Sequence, residues 1–141
     1  MLTDFFSDLN WAAVAVATLA WFGFSAVWYS LPPLSGAWAR AAKVDMSAQD
    51  ENSPSLVTFL IPTVVAYLIA TIVIALIVEA IGVDTLEEGV VLGLALGVAF
   101  GLISAAVTQM YEQKGRLYWL INGLNGLIAF TIVSVILAVW P

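Results

Sequence analysis

The chain contains no cysteine and no histidine in its 141 residues. The first absence rules out disulfides and thiol nucleophiles, and the two together remove the usual zinc sites and haem ligation by either residue. Lack of histidine also takes away the commonest general base near neutral pH. Charge is almost as scarce, at 10% of residues, where soluble domains carry about 25%. The ten acids and four bases leave a net charge of −6, which is not the basic footprint that nucleic acid requires. Ser104 and Ser134 have no visible base. No span holds paired carboxylates, and no phosphate-cradling loop joins a strand to a helix. Neither an enzyme nor a cofactor is expected.

What the chain has in quantity is apolar surface. Sixty-two per cent of its residues are apolar (62%), more than a small soluble domain can bury, so the bilayer is the expected solvent. One domain covering 1–141 is expected at this length.

Charges are absent between Asp8 and Arg40, between Glu51 and Glu79, between Glu88 and Glu112, and after Arg116. Each gap exceeds the ~20 apolar residues needed to cross the hydrocarbon core as a helix. The expected spans are 11–31, 55–81, 88–111 and 117–140. The first is read as an uncleaved helix, because Asp4 and Asp8 give it the wrong flank for a signal peptide. All four basic residues, Arg40, Lys43, Lys114 and Arg116, follow spans one and three. By the positive-inside rule those connections are cytoplasmic and both termini face outward. The expected fold is an all-α bundle of four transmembrane helices in two hairpins, in the cell membrane.

Local signals agree. Ser53-Pro54 reads as a helix start and Gly82 as its stop. Asp84 with Glu87, or Thr85 with Glu88, has capping-box spacing. Lys114 and Gly115 suit the end of the third helix. In the cytoplasmic loop 32–54, residues 34–44 suit a short interfacial helix that holds Trp38 among headgroups, with Arg40 and Lys43 near anionic lipid; a plain linker fits equally. Pro62 is expected to kink the second span.

Helix three carries Gly89, Gly93, Gly97 and Gly101, with Ala105 continuing the row. Residues four apart share a face, and small residues there let another backbone approach closely. Packing inside the protomer is expected, against helix one or four. Alanine-rich helix one is the natural partner, and a homo-oligomer interface or a lipid tail is the sharper alternative. Asn122 and Asn125 lie one turn apart, with Gln109 at similar depth. They are read as an interhelical hydrogen-bond cluster, with a polar pocket as the alternative. Glu79 is the one ionisable residue inside a plausible span. An outer-interface position is expected for it; a deeper one would make it a candidate for ion coupling.

The most specific segment is Gly23-Phe24-Ser25-Ala26-Val27-Trp28-Tyr29-Ser30, followed by Pro32, Gly36 and Trp38. It resembles the DUF1761 family of uncharacterised membrane proteins, as do Tyr111-Glu112, Leu120-Ile121-Asn122 and the closing Ile136–Trp140 stretch. Leu31 shifts the proline by one, and Gly36 stands where the family commonly has lysine. The resemblance implies a four-helix membrane fold and no established activity. Physically, Trp28 and Tyr29 anchor the end of helix one, Ser30 bonds a freed carbonyl and the prolines stop it. The rim of a cytoplasmic pocket is the functional alternative. The role expected overall is a structural or accessory protein, working through helix contacts with lipid, with itself or with a larger membrane complex. A small-solute or ion carrier acting as a homo-oligomer is the runner-up.

Overall fold

The structure, a computed structural model, describes residues 2–44 and 55–140. Among these residues it is entirely helical, and four helices are long and apolar enough to cross a membrane. A short helix α1 (Leu2–Asp8) precedes the first span, α2 (Trp11–Ser30). The chain turns at Leu31 into α3 (Pro32–Ala42), and the second span is α4 (Leu56–Ile81). The third span is composite: α5 (Leu86–Leu96), a π-helical segment (Gly97–Ile103) and α6 (Ser104–Tyr111). The fourth is α7 (Arg116–Val139).

Helix ends follow from local chemistry. Asn10 caps α2 by accepting from Ala13 N at 3.1 Å. At α4 the described helix begins after Ser55; Ser53-Pro54 and the polar stretch 45–53 lie outside the described residues. The helix continues through Pro62, beside which Thr63 Oγ1 donates to Phe59 O at 2.7 Å. Gly82 ends it at φ 69°, with Gly82 N and Val83 N returning to Glu79 O and Val78 O. Glycine takes this left-handed cap without the Cβ penalty that other residues meet there. Of the two capping boxes, Thr85–Glu88 forms: Thr85 Oγ1 accepts from Glu88 N, and Glu88 Oε2 accepts from Asp84 N, both at 3.2 Å.

Gly115 does something other than end the third span. Gln113 takes the left-handed position (φ 53°), and Gly115 starts α7, with its N donating to Ala41 O at 2.7 Å. A Cβ there would sit 2.9 Å from Ala41 Cα. Lys114 Nζ adds a bond to Ala42 O at 2.9 Å. Helix α3 is therefore tied to the α6–α7 turn, which brings the two basic connections to the same end of the molecule. Asp8, Asn10, Glu79 and Trp140 gather at the opposite end.

Helix α7 is the central helix, touching α2, α3, α4, the π segment, α5 and α6. The principal core joins α2, α4 and α7 through Ala13, Val14, Ala17, Trp21, Ile74, Ala75, Ala129 and Val133. Trp21 stacks on Tyr67 with centroids 4.6 Å apart and tilts against Phe130 at 5.2 Å.

The glycine row meets α7 and not α2, correcting the expected contact between spans one and three. Gly89 faces Ala138 and Val135, Gly93 faces Thr131 and Phe130, Gly97 faces Leu127, and Gly101 faces Gly126. The α7 side is equally bare at Gly123 and Gly126, so backbone lies on backbone. The row does not run on to Ala105. A π turn carries an extra residue relative to α geometry, and Leu102, not Ala105, makes the next contact, over Gly123. Residues after the step are rotated by about one position, ~100°.

Candidate functional site

Spans one and three flank α7 without touching each other, and a groove of about 560 Å³ lies in the half that carries α3. Its floor is α7, from Tyr118 through Asn122 and Gly126 to Phe130. Tyr29, Ser35 and Trp38 form one wall, and Gly101, Ser104, Ala105 and Thr108 the other. Phe100 and Phe130, with centroids 6.5 Å apart, mark the deep end. Phe100 and Ser104 are exposed, so the groove is open along the flank of the third span. The π step creates the second wall by turning Ala105 away from the glycine row.

Asn122 organises the polar end. Tyr29 donates its hydroxyl to Asn122 Oδ1 at 2.5 Å, and Trp38 Nε1 donates to the same oxygen at 3.2 Å. An indole N–H is a donor only, which fixes the amide: the oxygen faces the aromatic pair and the NH₂ points elsewhere. Trp28 Nε1 donates to Ile121 O at 3.2 Å, while Ser30 Oγ returns to Val27 O at 3.0 Å. Tyr29 and Trp38 meet edge to face at 6.1 Å. Three aromatic residues expected to sit as lipid anchors thus each spend, or share, a polar atom on α7.

The expected amide cluster does not form. Asn125 is buried against Ser25, with the Ser25 hydroxyl 3.3 Å from Oδ1 and 3.2 Å from Nδ2. Gln109 Nε2 donates to Lys114 O at 2.7 Å and so braces the α6–α7 turn. Only Asn122 reaches the groove. Glu79 is exposed two residues before the end of α4, far from the groove. Tyr118, Ser104 and Thr108 were not anticipated as site residues, since lone hydroxyls on an apolar span carry no sequence signal beyond helix propensity.

Beside Tyr29, Ser35 and Trp38, whose polar atoms are bonded within the chain, the lining residues Ser104, Thr108, Tyr118 and Asn122 bring three hydroxyls and one amide, none of them charged. Among the described residues, none of the three hydroxyls has a protein partner, nor has Asn122 Nδ2. The arrangement can bind and orient a polar group at one end and an apolar body at the other.

The family model described as "Protein of unknown function (DUF1761)" matches residues 12–138. No curated protein and no solved structure matches the chain.

Proposed function

The chain belongs to the DUF1761 family, and for this member we propose a membrane-embedded binding protein that takes a small membrane-dissolved molecule into the groove over α7. The observation that carries this reading is the Asn122 amide, held by Tyr29 and Trp38 at the polar end of an otherwise apolar cleft. Its ~560 Å³ falls within the range of small-molecule sites, which are mostly apolar with a few placed polar groups. A role confined to helix packing draws less support, because the glycine row is spent inside the chain on α7. Any self-assembly, or docking to a larger complex, has to use other faces. Binding without catalysis suits a lining that, among the described residues, has no carboxylate, amine or imidazole.

With the basic loops taken as cytoplasmic, the groove lies in the inner leaflet of the cell membrane and both termini lie outside. A cysteine introduced at position 4 is then labelled by an impermeant reagent from outside only; labelling from the cytoplasm would invert the scheme.

Native mass spectrometry of protein extracted gently from its own membrane tests the binding. The wild type should retain a small-molecule mass, and Ala105→Phe, which projects a ring into the groove, should lose it at unchanged thermal stability. Absence of any retained mass, or equal retention by Ala105→Phe, would overturn the reading. Co-purification with a larger complex at fixed stoichiometry, without a bound small molecule, would return the protein to an accessory role.

A further inference from the structure

Resting on the binding role above, we infer that the groove takes an uncharged amphiphile with hydroxyl or carbonyl oxygens at its head and an apolar tail no longer than one leaflet. Three observations carry this.

The first is length. From Tyr118 to Phe130 the floor covers 13 residues of helix, or 12 steps of 1.5 Å, about 18 Å. Half the hydrocarbon core is ~15 Å. Phe100 and Phe130 stand at the mid-depth end, so a tail lying along the groove ends near the bilayer centre.

The second is the polarity gradient. The deep half is lined by Phe100, Gly101, Gly126 and Phe130, whereas the hydroxyls and the amide cluster toward the end that carries α3. A ligand that matches this is apolar at one end and polar at the other, lying parallel to the lipids around it.

The third is charge. Among the described residues, no Lys, Arg, Asp or Glu lines the groove. Lys114 of the α6–α7 turn already donates to Ala42 O. An ionised phosphate or carboxylate drawn into such a cleft loses its water and gains no counter-charge, which is costly. A neutral head faces no such penalty. Because Asn122 Oδ1 is occupied by two donors, the amide can offer the ligand only its N–H groups, and these require an acceptor oxygen. The hydroxyls of Ser104, Thr108 and Tyr118 can donate or accept, so a head with both hydroxyl and carbonyl oxygens finds partners for each.

The experiment uses the full chain in nanodiscs of zwitterionic phospholipid, titrated with a monoacylglycerol and with the lysophosphatidate of the same chain, and read by native mass spectrometry. The monoacylglycerol should bind one per chain, at least about tenfold more tightly than the phosphorylated analogue. The double variant Thr108→Val, Tyr118→Phe keeps shape and removes two hydroxyls; it should weaken monoacylglycerol binding about three- to tenfold. Gly23→Ala, whose added methyl has nothing within 4 Å, should change nothing. Equal or tighter binding of lysophosphatidate would overturn the inference about the head while leaving a binding groove in place. Failure of both probes to saturate, with a mass still retained from the native membrane, would also overturn it. Failure of both with no native mass would remove the binding role itself.

Discussion

Replacing Gly93 with leucine will unseat the third span from the fourth. A Cβ at this position collides with Thr131 Cα and lies 2.9 Å from Phe130 O. Both obstacles are backbone atoms of α7, so no rotamer change relieves them. Neighbouring glycines have no slack to offer: Cβ atoms at Gly89 and Gly97 would sit 2.9 Å from Ala138 Cβ and 2.7 Å from Leu127 Cα. In lipid, close packing is itself a main source of helix association, because no hydrophobic effect separates helix from solvent. Overpacking a tight site costs about 1–3 kcal/mol, and a backbone collision with a leucine behind it belongs at or above the top of that range. A loss of about 3 kcal/mol shifts the folding equilibrium roughly 150-fold. It should appear as a large drop in resistance to denaturing detergent, measured beside Gly23→Leu. That control residue has nothing within 4 Å of an added Cβ. Wild-type resistance in Gly93→Leu would mean that α5 and α7 do not approach this closely.

The second large effect centres on Asn122. Asn122→Leu strips the acceptor from both Tyr29 and Trp38. An unsatisfied buried donor costs about 1–3 kcal/mol, although interhelical hydrogen bonds measured in a membrane protein average only about 0.6 kcal/mol. Tyr29 and Trp38 are each half-buried, which places the total at about 1–2 kcal/mol. A double-mutant cycle with Trp38→Phe isolates the shared part. If the bond exists, Asn122→Leu costs less in the Trp38→Phe background, by about 0.5–1 kcal/mol. Tryptophan emission supplies an independent readout, since an indole released from Asn122 into the headgroup region shifts to the red. Strict additivity of the two substitutions, with unshifted emission, would show that Trp38 and Asn122 are not bonded.

The spans were legible because charge placement is decided by the solvent, one segment at a time. The expected 11–31, 55–81, 88–111 and 117–140 differ from the four helices by only a residue or two at each end. Helix α3 was likewise legible as a possibility, and α1 carried no sequence signal that distinguished it from a tail. What could not be read was the arrangement of helices around α7. Gly89, Gly93, Gly97 and Gly101 announce a close neighbour, but an alanine-rich helix and a glycine-bearing one both satisfy that requirement. The matching bareness of Gly123 and Gly126 decides it only in three dimensions.

The site was hidden for a different reason. Trp28, Tyr29 and Trp38 fall where interfacial aromatics belong, and composition alone does not separate a ring that faces headgroups from one that donates across a helix pair. Asn122 bonds to residues 93 and 84 positions away in the chain, beyond any local pattern. Gln109 and Asn125 do not share the depth expected of them, since Gly101 faces Gly126 and Gln109 lies eight residues further toward the α6–α7 turn. Gln109, Asn122 and Asn125 each point to a different partner: Lys114, the aromatic pair, and Ser25.

The π segment also bears on how this helix tolerates length changes. Counted in steps of four, Gly89 to Ala105 is an unbroken series, so the third span has the spelling of a straight α-helix written over the geometry of one that has absorbed an insertion. Removing a single residue from 102–103 would take out the inserted position and leave a plain α-helix, with the glycines upstream of the cut and Ser104 and Thr108 downstream of it facing as they do now. A deletion in α5 would instead put every glycine upstream of it out of phase with α7. Within one membrane span, a single residue is dispensable on one side of Gly101 and structural on the other.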